Sequence, residues 1–264
     1  MNKGIDVCTY QGVIDWAKVK NDGVTFAMIK ATQGRSEINP ANRNFVDGKY
    51  SRNIVEAAKA GVSCGVYHYL TAATVSEAHA EAKLFLNAIV PYKDKITLFA
   101  AVDVESKYLP QNKRLLTEIV SAFYSDVEKA GFRCAVYTNP SFLRYRLNDI
   151  GDKRLWLALW RDRSKTPTGY KNLVMWQWGT SKVAGITGEV DSNLGFFEKD
   201  KPVRNVLKVG DRVRVKKALL YNSNRKFLAL LPTYRVIQVT GDRVVIGFGS
   251  LVIAAVNADN LTRV

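Results

Sequence analysis

The sequence predicts an α/β protein, a TIM-like (βα) barrel with reduced helices followed by a small all-β barrel. Up to about residue 160, apolar, β-branched and aromatic runs alternate with helical segments, which favours a parallel sheet. Eight such runs are present along the first part of the chain, and eight strands can close a barrel. After residue 206 short strands follow one another between turns, a pattern typical of a small β-barrel. A doubly wound open sheet is the alternative for the first part.

The eight strand candidates are short runs rich in Val, Ile, Leu and aromatic residues. In a βα barrel, functional residues lie where such strands end. The candidates are residues 4–8, 25–31, 64–70, 97–104, 133–138, 155–160, 173–178 and 188–194.

Helices between these strands carry end signals. Thr74-Val75-Ser76-Glu77 is a capping box that opens a helix running to about Val90. Asn139-Pro140 places an N-cap before a proline at the first helical position. Two further helices are predicted at 51–60 and 112–130, each followed by a glycine. After about residue 150 the intervals leave little room for helices.

Composition excludes several classes of protein. The chain has 264 residues, of which 47% are hydrophobic, so it can bury a substantial core. No apolar run approaches the roughly 18 residues of a membrane span, and no membrane insertion is expected. The start of the chain lacks a hydrophobic signal segment, so we expect synthesis in the cytoplasm and action on the outside only after release.

Cysteine and histidine usage argues against metal and thiol chemistry. Cys8, Cys64 and Cys134 are far apart and form no C-x-x-C pair, which makes a disulfide framework or zinc site improbable. His68 and His79 are the two histidines, too few for a multi-histidine centre. We therefore expect no metal and no cofactor.

The charge indicates an anionic partner. The formal net charge is +15. Residues 202–264 hold 11 Lys or Arg and 3 Asp or Glu, a net +8 in a quarter of the chain. Nucleic acid, anionic lipid and anionic cell-wall polymers would each satisfy this charge.

The motif Asp103-Val104-Glu105 ends the fourth strand candidate. Residues two apart in a strand share a face, so both carboxyl groups are predicted to look into one space. Two like charges held close raise the pKa of one of them. One protonated and one ionised carboxyl group is what glycoside hydrolysis requires.

Other polar and aromatic residues obey the same strand-end rule. Asp6 ends the first strand candidate, and Asp191 lies in the eighth. In a closed barrel the first and last strands are neighbours, so these two acids are predicted to lie side by side. Aromatic and amide side chains that could bind sugar rings end the strands between them: Tyr67, Tyr137, Trp160 and Gln177.

The predicted domains are a barrel over 1–197, a charged linker over 198–206 and a small β-barrel over 207–264. The strands of the last domain are expected within 210–215, 233–239, 241–247 and 251–256.

Many short motifs, in order over about residues 3 to 197, resemble glycoside hydrolase family 25, the lysozymes that cut peptidoglycan. They are Gly4-Ile5-Asp6-Val7, Tyr10-Gln11-Gly12, Ile14-Asp15-Trp16, Ala27-Met28-Ile29-Lys30-Ala31-Thr32, Gly65-Val66-Tyr67-His68-Tyr69, Asp103-Val104-Glu105, Val136-Tyr137-Thr138, Leu155-Trp156-Leu157-Ala158, Trp176-Gln177 and Gly185–Asn193.

The resemblance implies an N-acetylmuramidase that hydrolyses the β-1,4 bond between N-acetylmuramic acid and N-acetylglucosamine. The part after residue 206 resembles a bacterial SH3-like wall-binding module, and the combination is similar to a phage endolysin. Peptidoglycan and an anionic Gram-positive wall are then the expected partners. Nucleic acid is not expected, although it is the main rival for a basic small barrel.

The resemblance also implies roles. Glu105 is expected to be the general acid, kept protonated by neighbouring acids. Asp103 would stay ionised and stabilise developing positive charge, on an oxocarbenium-like centre or a cyclised acetamido group. Asp6 and Asp191 would orient these two or position water. Tyr67, Tyr137, Trp160 and Gln177 would bind sugar.

The chain departs from the family pattern at four positions, none of which removes an acid: Cys8, Gln33, Tyr69 and Trp160. For His68, substrate contact and a hydrogen-bonded core position both remain open, and Lys30 could pair with the acids or form a structural contact. Two other functions stay as alternatives: a wall-binding protein with an inactive barrel, and a metal-dependent hydrolase that uses the acids for Mg²⁺ or Ca²⁺.

Overall fold

The structure is a computed structural model that describes residues 2–36, 41, 43–197, 207–240, 243–249 and 251–264. The chain divides into two compact units, residues 1–200 and 201–264. The linker predicted at 198–206 and the first two residues of the strand predicted within 241–247 lie outside the described residues.

The first unit alternates strands and helices as far as its seventh strand. The elements are, in chain order, β1 (Asn2–Val7), α1 (Trp16–Asn21), β2 (Phe26–Arg35), β3 (Arg43–Val46), α2 (Tyr50–Lys59), β4 (Ser63–Tyr69), α3 (Val75–Ile89), β5 (Ile96–Asp103), α4 (Lys113–Lys129), β6 (Cys134–Thr138), α5 (Pro140–Tyr145), β7 (Leu155–Ala158), β8 (Leu173–Lys182) and β9 (Glu189–Gly195).

Eight of these strands close a barrel with few helices, as predicted. Their order is β1-β9-β8-β7-β6-β5-β4-β2, and β2 pairs with β1 to complete the ring. The alternative of an open sheet is therefore wrong. Strand β3 is an addition that the sequence did not predict, and it pairs antiparallel with the end of β2.

The prediction of an all-parallel sheet is wrong for the last strand. Strand β9 pairs antiparallel with both of its neighbours, β8 and β1. The reason is the short connection: β8 ends at Lys182 and β9 begins at Glu189. A parallel crossover needs a dozen or more residues, so this interval permits only an antiparallel return.

The core of the first unit has two layers, on the two faces of the strands. Along β5, Phe99 and Ala101 point into the barrel, whereas Ala100 and Val102 pack outward in the layer that includes the helices. The alternation continues to Asp103, which places its carboxyl group on the barrel's inner side.

Helix ends follow the capping signals in the sequence. Thr74 accepts a hydrogen bond from Glu77 N at the start of α3, and Asn112 accepts one from Leu115 N at the start of α4. Asn139 caps α5 in the same way, with Pro140 at its first position. In the described ranges, no helix has the length and apolar character to cross a membrane.

The second unit is an antiparallel sheet of five strands with its own core. They are β10 (Arg212–Val215), β11 (Tyr234–Thr240), β12 (Arg243–Phe248), β13 (Leu251–Asn257) and β14 (Leu261–Arg263), in the order β13-β12-β11-β10-β14. Val213, Val236, Val244 and Ile246 are among the residues buried in its core.

Candidate active site

Asp6 and Asp191 are paired across β1 and β9, as the closed barrel predicts. The two residues are direct cross-strand partners, which brings their Cβ atoms to about 5 Å of each other. Because β9 runs antiparallel, its first residues, not its last, lie at the end of the barrel where the parallel strands finish. This reversal places Asp191 beside Asp6 at that end.

Asp103 and Glu105 lie at the same end but in different surroundings. Asp103 is the last residue of β5 and only 4% exposed, whereas Glu105 lies two residues beyond the strand and is exposed. The motif therefore presents one buried and one solvent-facing carboxyl group.

The phenol of Tyr137 is near enough to the four acids for their charges to affect its pKa. Burial raises the pKa of Tyr137 well above its usual range, and the charges of Glu105, Asp103, Asp6 and Asp191 raise it further. The acids of β1 and β9 and those at the end of β5 therefore lie at the same end of the barrel.

Asp6 is the acid whose proton affinity changes most clearly. Its side chain is 8% exposed. Burial, and then the neighbouring charge of Asp191, raise its pKa from 3.8 to about 7, and Glu105 adds to the effect. Burial also raises the pKa of Asp191. Asp6 therefore gains or loses its proton near neutral pH.

Two amide groups hold the Oδ2 atom of Asp6. Gln177 Nε2 donates to it across 3.0 Å, and Asn193 Nδ2 donates across 2.7 Å. Both hydrogen bonds lower the pKa of Asp6, but burial outweighs them. Because Oδ2 accepts two N–H groups, a proton on Asp6 resides on Oδ1.

Indole N–H groups fix the orientation of both amides. Trp160 Nε1 donates to Gln177 Oε1 across 2.9 Å, and Trp156 Nε1 donates to Asn193 Oδ1 across 2.8 Å. An indole nitrogen can only donate, so each amide must turn its oxygen to the indole and its NH₂ to Asp6.

The predicted sugar-binding residues divide into buried and exposed members. Trp160 is 61% exposed and offers its ring to solvent. Tyr67 and Tyr137 are buried and pack edge-on against Trp156, at 6.0 and 4.5 Å between ring centroids. Gln177 is 3% exposed, and it also accepts a hydrogen bond from the Tyr137 hydroxyl at 3.1 Å. Their roles toward sugar stay predictions.

Sequence reasoning did not single out Asn193 or Trp156 as site residues. A signal for Asn193 was present, because it lies two residues after Asp191 in one strand and therefore on the same face. Trp156 occupies an inward position of β7, where a large aromatic side chain is also expected for a residue that only packs in the core.

His68 and Lys30 have hydrogen-bond partners other than the four acids. His68 lies on the outward side of β4, buried, bonded to Thr32 and Glu81 at 2.7 Å each, with its pKa lowered by burial. It is a core histidine. Lys30 donates to Gln33 and lies 4.9 Å from the Tyr69 ring centroid.

The surroundings of Cys8 disfavour its use as a nucleophile. Burial raises the pKa of Cys8, which disfavours the thiolate that a nucleophile needs. Over the residues that the structure describes, no three His, Cys, Asp or Glu side chains are grouped so that they could hold a metal ion.

Comparison with known proteins finds a matching family model and relatives of this barrel in sequence and in structure. A family model described as Glycosyl hydrolases family 25 matches residues 5–186. Lysozyme M1 of Streptomyces globisporus is 31% identical over 205 residues, which are 72% of this chain and 66% of that protein.

Two solved structures share the fold. The CTP1L endolysin is 29% identical with a TM-score of 0.62, and the match covers 74% of this chain and 66% of that one. The modular autolysin LytC of Streptococcus pneumoniae, solved with a synthetic peptidoglycan ligand, is 26% identical with a TM-score of 0.62 over 73% of this chain and 46% of that one. The chain thus matches two thirds of these relatives' length or less.

Proposed function

Because this chain belongs to the glycosyl hydrolases family 25, we propose that it is an N-acetylmuramidase. The proposed reaction is hydrolysis of the β-1,4 bond between N-acetylmuramic acid and N-acetylglucosamine in peptidoglycan. The similarity to Lysozyme M1 and to an autolysin solved with a peptidoglycan ligand supports this substrate.

One observation carries the proposal: Asp6 and Asp191 are cross-strand partners at the end of the barrel where buried Asp103 and exposed Glu105 follow one another. Glycoside hydrolysis needs an acid that protonates the leaving oxygen and a carboxylate that stabilises positive charge. Glu105 is exposed and so accessible to a glycosidic oxygen of the substrate, whereas Asp103 is buried. We assign the proton donor to Glu105 and charge stabilisation to Asp103.

We assign to Asp6 and Asp191 control of the net negative charge of the site, through their protonation. With a pKa of about 7, Asp6 carries its proton on Oδ1 for part of the population at neutral pH. A neutral Asp6 limits the negative charge around Asp103 and Glu105. Protonated, it can also donate a hydrogen bond to water or to substrate, which suits an orienting role.

The fragments released from purified peptidoglycan test the reaction. Mass analysis after borohydride reduction should find new reducing ends on N-acetylmuramic acid. Reducing ends on N-acetylglucosamine, or cleavage in the peptides, would refute the muramidase assignment.

We further propose that the protein acts as a phage endolysin that binds the wall through its second unit. The similarity to the CTP1L endolysin supports the biological role. The +8 charge of residues 202–264 supports attraction to an anionic wall, and the five-stranded antiparallel sheet suits an SH3-like module. Binding of nucleic acid is the alternative function that this positive charge would also suit.

Expression in a Gram-positive host tests the endolysin role. Cells should remain intact while the protein accumulates in the cytoplasm and should lyse once the membrane is permeabilised. Lysis of cells with intact membranes would contradict the proposal.

A further inference from the structure

One face of the sheet in the second unit carries three arginines. Arg212 in β10 and Arg235 in β11 are direct cross-strand partners, so their side chains share a face. Arg214 follows Arg212 by two residues and lies on that face as well. All three are exposed, whereas Val213 and Tyr234 between them are buried on the opposite face.

This arrangement is unfavourable for the isolated protein. Like charges directly opposite each other destabilise a sheet. The buried residues on the other face fix the strand register, so the strands cannot slip to move the arginines apart. In the described part of the second unit, Asp211 forms an ion pair with Arg263 at 2.8 Å, while Arg212, Arg214 and Arg235 pair with no carboxylate. An anionic ligand would relieve the repulsion.

Hydrogen bonds within the unit hold two of the guanidinium groups, and most of their N–H groups stay available to a ligand. Arg212 Nη2 donates to Thr233 Oγ1 across 3.2 Å, and Arg235 Nε donates to Gly210 O across 3.5 Å. A guanidinium carries five N–H donors, so most remain for a ligand. Thr262, the partner of Arg214 in β14, adds an exposed hydroxyl group on the same face.

We propose that this arginine face, Arg212, Arg214, Arg235 and Thr262, binds consecutive phosphodiester groups of an anionic polymer attached to the bacterial wall. The inference rests on the proposed function, which brings the protein to that wall. Arginine forms bidentate hydrogen bonds with phosphate oxygens. Cross-strand neighbours about 5 Å apart and residues about 7 Å apart along a strand can contact successive phosphates of one chain.

The surroundings of the face favour a wall polymer over nucleic acid. Ile237 covers Gly247, the cross-strand partner of Arg235, and Val252 pairs with Gly247 on its other side. These neighbours are aliphatic and suit glycerol or sugar carbons. Binding of unpaired bases relies instead on aromatic rings for stacking.

Binding of the full-length protein to a soluble glycerol phosphate polymer tests this face. The variant R212Q/R214Q/R235Q is compared with K216Q/K217Q/K226Q, which removes the same charge from exposed lysines elsewhere in the unit. At about 150 mM salt, the arginine variant should lose at least about tenfold in affinity and the lysine variant less than about threefold. Arg214→Gln alone should lose about threefold, which keeps the test valid if the triple variant does not fold.

Two results would overturn the proposal. Equal losses in both triple variants would show attraction by net charge alone. Tighter binding of duplex DNA than of the polymer at equal phosphate concentration, lost in the arginine variant, would assign the face to nucleic acid.

Release of glycan fragments from peptidoglycan stripped of its phosphate polymers should be equal in wild type and the arginine variant. Absence of that release in the wild type would refute the muramidase but not the binding face.

Discussion

Gln177 Nε2 donates to Asp6 Oδ2 across 3.0 Å inside the barrel, and this contact links strands β8 and β1 at the acidic site. The other end of the same amide accepts the indole N–H of Trp160, whose ring is largely exposed. One glutamine therefore connects an exposed aromatic ring with an acid whose pKa is raised to about 7.

Asp6→Asn should stabilise the protein at neutral and higher pH. The raised pKa, about 7 against 3.8, means that folding favours protonated Asp6, so wild-type stability falls as the pH rises from about 4 to about 7. An asparagine keeps the acceptor for both amides and never ionises. The difference in unfolding free energy between variant and wild type should grow to a few kcal/mol across that range and then level off. Denaturant unfolding at several pH values measures it, and a difference independent of pH would contradict the burial of a titrating Asp6.

Trp160→Phe should change the pH dependence of activity more than substrate affinity. The variant keeps a ring for sugar but loses the N–H that orients Gln177. The amide can then turn its oxygen toward Asp6, which disfavours the carboxylate and raises the pKa of Asp6 further. We expect kcat to fall about tenfold. The part of the pH–rate profile that follows the titration of Asp6 should shift to higher pH. Trp160→Ala should in addition raise KM. An unshifted profile in Trp160→Phe would show that the indole N–H has no orienting role.

Asn193→Ala should destabilise the fold. It removes a donor to Asp6 and leaves the buried Trp156 N–H without its acceptor. An unsatisfied buried donor costs about 1–3 kcal/mol. The matched control is Asn148→Ala on an exposed residue, which should stay within about 0.5 kcal/mol of wild type. Equal unfolding free energies for the two variants would contradict the proposed network.

Chelation should leave activity unchanged. The described acids form no set of three that could hold a metal ion, and the proposed chemistry uses proton transfer alone. The rate of wall lysis is compared before and after dialysis against excess chelator. A loss of activity that Mg²⁺ or Ca²⁺ restores would support the metal-dependent alternative.

Much of the barrel was predictable because strand runs, capping residues and strand-end acids are local signals. The caps at Thr74, Asn112 and Asn139 and the pairing of Asp6 with Asp191 show this. The antiparallel direction of β9 was missed because a run of apolar residues does not show which way a strand runs in the sheet. The connection between β8 and β9, which is too short for a parallel crossover, did indicate that direction. The roles of Asn193 and Trp156 depend on contacts between strands distant in sequence, which periodicity does not reveal.

The initial rate of glycan cleavage by Glu105→Gln tests whether Glu105 donates the proton to the leaving oxygen. Glutamine keeps the size of the side chain and removes its proton. Because the residue is exposed, the fold and melting temperature should not change. The account predicts a loss of about a thousandfold or more in the rate at which N-acetylmuramic acid reducing ends appear. Glu118→Gln, an exposed glutamate on α4, is the control and should match wild type. A folded Glu105→Gln variant that cleaves peptidoglycan at close to the wild-type rate would contradict the assignment of Glu105 as the proton donor.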